Sequence, residues 1–113
     1  MSEEKHVTES CVGKPVVLVD IIDYADGSIV SKTLIDKPVG TITFFAFDRG
    51  QKLSEHTTPY DAVVQIIDGS ADITINGKIK TVSAGQLIIM PANIPHAVAA
   101  KEKFKMMLIM IRS

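Results

Sequence analysis

Residues 85–96 read Gly85-Gln86-Leu87-Ile88-Ile89-Met90-Pro91-Ala92-Asn93-Ile94-Pro95-His96. A glycine turn opens the stretch, a short continuous apolar run fits one strand, and Pro91 and Pro95 flank a stiff elbow that ends on a histidine. A second block lies upstream: Gly50-Gln51-Lys52-Leu53-Ser54-Glu55-His56-Thr57-Thr58, continuing through Asp61 and Ala62 to Gly69. It too carries one histidine out of a glycine turn. Between the blocks, Ala71 to Val82 reads as a hairpin, because Ala71, Ile73 and Ile75 alternate with Asp72 and Thr74 ahead of Asn76-Gly77. Asn-Gly is the strongest short-range hairpin signal. Two registers are open. A two-residue turn pairs Ile75 with Lys78, as the dipeptide favours, whereas a three-residue loop pairs Ile75 with Ile79 and keeps apolar residues on one face.

Together the blocks resemble the two motifs of the cupin superfamily. Gly50, His56 and Gly69 fall on the first motif's frame, with Thr58 where a second histidine stands and Ala62 where a glutamate stands. Gly85, Pro91 and His96 fall on the second, with Asn93 in place of a glycine and Ala100 in place of an asparagine. The resemblance implies an all-β, single double-stranded β-helix (jelly-roll) barrel. It also implies a metal held by three histidines and a glutamate, of which only His56 and His96 carry over.

The rest of the chain agrees with an all-β reading. Residues 1–14 are polar and are expected to form a flexible or edge-strand arm that includes His6 in solvent, with the barrel domain over 15–113. Val16 to Val19 and Ile29 to Leu34 are β-branched runs, and Thr41 to Phe47 is the most strand-prone stretch. Phe104 to Ile111 is apolar on both faces: Met106, Leu108 and Met110 on one, Met107, Ile109 and Ile111 on the other. One face can line a barrel; the other requires cover from a second sheet or a second subunit, so a homodimer is expected. No segment has the 3.6-residue apolar period of an amphipathic helix.

On the cupin frame His56 and His96 point into one end of the barrel. The expected ligand pocket comprises His56, Thr58, Ala62, Asn93, His96, Phe47 and Met90, with Thr58 and Asn93 as hydrogen-bond partners of the imidazoles. Two imidazoles fall short of the three protein ligands of catalytic zinc or the two histidines and a carboxylate of non-haem iron. No full metal site is therefore expected; a divalent iron, manganese, nickel or zinc ion would be held weakly, by His56 and His96. Asp61 adjoins the glutamate position, but strand alternation turns it to the opposite face. His56, Tyr60 and Asp61 are residue types suited to proton transfer, although their spacing does not match that of metal-free epimerases. Cys11 has no neighbouring base in the sequence and reads as a passive thiol. Four of the five methionines, at 90, 106, 107 and 110, are core filling by default; a soft-metal role is the alternative.

Composition narrows the functional class. The 113 residues suffice for one domain, and 46% are hydrophobic. A net charge of −1 and the absence of tryptophan exclude a nucleic-acid footprint and an anionic-lipid surface. One cysteine, a polar start and no apolar run of membrane length lead to an expected cytoplasmic location. Two functions are consistent with these observations. One is a module that encloses a small polar organic ligand. The other is an enzyme of isomerase, lyase or dioxygenase type, using a divalent metal on His56 and His96 or a histidine general base.

Overall fold

The computed structural model describes residues 6–112, with His6 described by its backbone alone. The expected solvation of the His6 side chain thus lies outside the described residues. Among them are ten strands: β1 (His6–Val7), β2 (Ile29–Lys37), β3 (Gly40–Phe47), β4 (Lys52–His56), β5 (Asp61–Asp68), β6 (Ser70–Ile75), β7 (Lys78–Ser83), β8 (Leu87–Met90), β9 (His96–Ala99) and β10 (Phe104–Ile111). The strands form two antiparallel sheets, ordered β1-β2-β3-β10-β5-β8 and β4-β9-β6-β7. Their apolar inner faces enclose one core, which makes the chain a jelly-roll barrel. The remaining regular structure is two single 3-10 turns, Glu9–Cys11 and Leu18–Asp20.

The second turn corrects the strand expected over Val16 to Val19. Val17 is 62% exposed and Leu18 41%, so the run has no sheet neighbour to reward its β-propensity. The hairpin takes the tighter register, with Ile75 opposite Lys78 and Thr74 opposite Ile79. Asn76 and Gly77 both adopt positive φ, 51° and 80°, as a two-residue turn that matches strand twist demands. Local turn chemistry thereby outweighs apolar pairing, and Ile79 is left in solvent.

The core joins both sheets. Phe47, Val64, Ile66, Ile73, Phe104 and Met106 are almost wholly buried. Phe47 stacks on Phe104 with centroids 4.6 Å apart and planes 15° apart, a contact worth about 0.5–1.5 kcal/mol beyond area burial. The second face of β10 is covered in part by the chain itself. Ile21, Ile22 and Tyr24 fold back over Phe44, Ala46 and Met107. The buried Lys105 ties this flap down by donating to the Val19 carbonyl at 2.6 Å. Cover thins from there across a row of cross-strand neighbours, Ile35, Ile42, Ile109, Val63 and Ile89. Ile42 still packs against the flap cluster, and Ile35 and Ile42 border the N-terminal segment.

Candidate functional site

Strands β4 and β9 are neighbours, and His56 is the direct partner of His96. A bulge sets this up. Leu53 pairs with Val98, and two residues back along β9 His96 pairs with His56, three residues on along β4. Simple alternation from the inward Leu53 would have aimed Glu55 at the barrel; the extra residue aims His56 there instead. His96 is placed by the proline elbow. Within the elbow Asn93 has a φ of 66°, and its N–H donates to the Thr58 carbonyl at 2.7 Å. A left-handed backbone explains why asparagine stands where the family frame has glycine.

Each imidazole is oriented by its own strand. His56 Nδ1 lies 2.8 Å from the Ser54 carbonyl and His96 Nδ1 lies 3.2 Å from the Ile94 carbonyl. A carbonyl only accepts, so both Nδ1 atoms carry the proton, and both Nε2 atoms present a lone pair when the rings are neutral. The two Nε2 atoms are 3.1 Å apart, with the ring planes at 69°. Burial pushes the His96 imidazole below its ordinary value; the bond to Ile94 opposes this and nearby His56 adds to the depression. Two acceptors so close need a proton, a cation or a ligand donor between or beside them.

They border a cavity of about 50 Å³, room for a few waters or the polar head of a small molecule. His96 is buried in its wall, while His56 stands exposed at the mouth. Thr58, Ala62 and Met90 also line the cavity, as does the inner face of β10 through Met106, Leu108 and Met110. Phe47 and Asn93 do not. Phe47 is committed to its stack on Phe104, deeper in the core, and the Asn93 side chain is exposed while its backbone shapes the elbow. Nor does Thr58 serve the imidazoles: its hydroxyl donates to the Tyr60 carbonyl at 3.1 Å. Sequence reasoning missed Leu53 and Val98, which complete the lining. Val98, two residues from His96 on one strand, was predictable from alternation.

Asp61 faces away from the cavity and accepts from the Ala92 N–H at 2.8 Å, so it caps the elbow and does not orient His56. Cys11 lies outside the barrel, against hollows formed by the N-terminal segment. Among the described residues no three His, Cys, Asp or Glu side chains cluster in a way that would hold a metal ion. A hard divalent ion therefore finds two imidazoles, a hydroxyl already engaged and a methyl group at Ala62, and this donor set does not fit one. Among the described residues no helix is long and apolar enough to cross a membrane.

The family model described as the cupin domain matches residues 43–112. Among solved structures, a conserved protein of unknown function from Streptococcus pyogenes is 35% identical, with a TM-score of 0.90 over 100% of this chain and 96% of that one. A cupin 2 conserved barrel domain protein from Leptotrichia buccalis is 41% identical, with a TM-score of 0.79 over 82% of this chain and 45% of that one. A cupin superfamily protein from Desulfitobacterium hafniense is 25% identical, with a TM-score of 0.86 over 99% of this chain and all of that one. No curated protein matches the chain.

Proposed function

The chain belongs to the cupin family, and on that footing we propose that its barrel encloses the head of a small polar organic molecule, with His56 and His96 as the contacting groups. The observation that carries this reading is the convergence of two imidazole acceptors, 3.1 Å apart, on a cavity with mostly apolar walls. Apolar walls with a few convergent polar groups are the usual form of a small-molecule site. Since both acceptors need donors, the complementary head is a hydroxyl or an amine. The cavity admits only that head, and the rest of the molecule lies at the mouth beside His56. The same pair favours a second reading, an isomerase or lyase in which one Nε2 takes a proton from the bound molecule.

Metal-free protein titrated with a library of small alcohols and amines tests the first reading. Binders are expected to shift the His56 and His96 imidazole signals and the Met110 methyl signal in NMR spectra. His56→Ala is expected to weaken them about tenfold, the equivalent of one lost hydrogen bond. The melting temperature should hardly change, because His56 is exposed. A library without binders at these signals, or equal affinity in the variant, would contradict the reading. Proton exchange between a binder and deuterated water, lost in the same variant, would select the enzyme.

We further propose that the chain pairs with a second copy through the outer face of the larger sheet. The row Ile35, Ile42, Ile109, Val63 and Ile89 runs across five strands, and Ile89 is 58% exposed. Light scattering is expected to give a dimer mass for the natural protein. Ile89→Lys, which places a charge on an already exposed position of the edge strand, should yield a folded monomer. A natural protein that is monomeric at concentrations on the order of tens of micromolar would contradict this.

A further inference from the structure

The cavity that lacks carboxylates is rich in sulfur. Besides the two Nε2 atoms it is lined by Met90, Met106 and Met110. Ala62 pairs with Met90 on one side and with Met110 on the other, so those two residues flank the position from which the family frame would supply a glutamate. Met106 lies two steps of alternation from Met110, past Leu108, on the inner face of β10 and is 1% exposed. We infer that the His56–His96 pair, with thioether sulfur from these methionines, forms a site for a soft monovalent cation, Cu(I).

Three physical points support this. First, metal–nitrogen bonds of about 2 Å meet at a common point over a nitrogen separation of 3.1 Å. Each Nδ1–H is already bonded to a backbone carbonyl, which is the outer arrangement that fixes metal-binding imidazoles in the right tautomer. Second, thioethers select Cu(I), whereas hard divalent ions require anionic oxygen. Third, the desolvation cost of an ion in an apolar cavity grows with the square of its charge. A neutral donor set can therefore stabilise a monovalent ion where it cannot stabilise a divalent one. This inference goes beyond the organic-ligand reading and does not depend on it.

The test uses the full chain, chelator-treated and kept reduced with ascorbate under anaerobic conditions. Cu(I) is titrated against bicinchoninate, with Cys11→Ser run in parallel so that the one thiol does not contribute. One Cu(I) per chain should be retained, and Zn(II) and Mn(II) should be lost to dialysis. In spectra of methyl-labelled methionine, signals from Met90, Met106 and Met110 should move. Met107, which packs on the outer face of β10, serves as the internal control and should stay in place. The Met90→Leu, Met106→Leu, Met110→Leu triple variant, conservative in volume, should bind Cu(I) about tenfold or more weakly. Failure to compete with bicinchoninate, Zn(II) held as tightly as Cu(I), or unmoved methyl signals would overturn the site. The methyl signals of the natural chain decide the question even if the triple variant misfolds. Alcohol and amine binding is measured on metal-free protein, so the two readings fail separately.

Discussion

Replacing Thr58→His and Ala62→Glu together is expected to raise the affinity for zinc or manganese by ~100-fold or more. Both positions line the cavity beside the imidazole pair, so the new donors would supply the third nitrogen and the anionic oxygen that the natural set lacks. The two changes also carry a stability signature. Ala62 is 2% exposed, and a carboxylate placed there without a counter-ion is a buried unpaired charge, costly until it is protonated or bound to metal. The metal-free double variant should therefore melt well below the natural protein and recover on adding metal, because a ligand that binds only the folded state stabilises it. Isothermal titration and thermal melts with and without metal check both effects. Unchanged divalent affinity in a folded double variant would mean that positions 58 and 62 do not address the point where the imidazoles meet. The same variant should lose the preference for Cu(I).

Gly69→Ala is expected to cost roughly 2–5 kcal/mol, a large share of the stability of a domain this size. Gly69 joins β5 of one sheet to β6 of the other, at a φ of 74°. A Cβ there would lie 2.5 Å from the Lys103 carbonyl oxygen and 3.1 Å from the Phe104 Cβ, against backbone that opens β10 and a ring stacked on Phe47. Gly85 is the control. Its φ is 90°, but an added Cβ would meet nothing within 4 Å, so Gly85→Ala carries only the cost of left-handed backbone, about 1–2 kcal/mol. Urea unfolding of the two variants separates the terms. Equal losses would mean that the tight approach at the sheet junction is not what requires glycine at position 69.

Much of this is legible in the sequence. The glycine, proline and histidine spacings of residues 50–69 and 85–96 report backbone requirements, and these are local: a left-handed turn, a rigid elbow, a strand start. The barrel follows from the family resemblance that those spacings carry, and five of the residues that the resemblance places in the pocket, at 56, 58, 62, 90 and 96, line one cavity. What could not be read depended on competition between distant parts. Val16 to Val19 has strand composition, but no neighbouring edge accepts it. The second face of β10 looked as if it needed a partner, yet Ile21, Ile22 and Tyr24 return to cover part of it. Phe47 alternates correctly for the pocket, but Phe104 claims its ring. Hydrogen bonding departs from the sequence expectation for a similar reason. Residue type points to Thr58 and Asn93 as partners of the imidazoles, whereas the Ser54 and Ile94 carbonyls, which no side-chain pattern announces, take that place.

The account rests on two rings that each spend Nδ1–H on a carbonyl and turn a bare Nε2 toward the other. Long-range nitrogen–proton NMR correlations of the imidazoles, recorded at about pH 8 on metal-free protein and then titrated downward, test that most directly. Both rings are expected in the Nδ1–H tautomer at the start. Because burial depresses His96 in the fold while the unfolded histidine keeps its ordinary value near 6.5, acid should protonate the unfolded chain first. Stability should then fall from about pH 6.5 downward, levelling off only below the folded value. A neutral ring of either histidine carrying its proton on Nε2 at the starting pH would contradict the account.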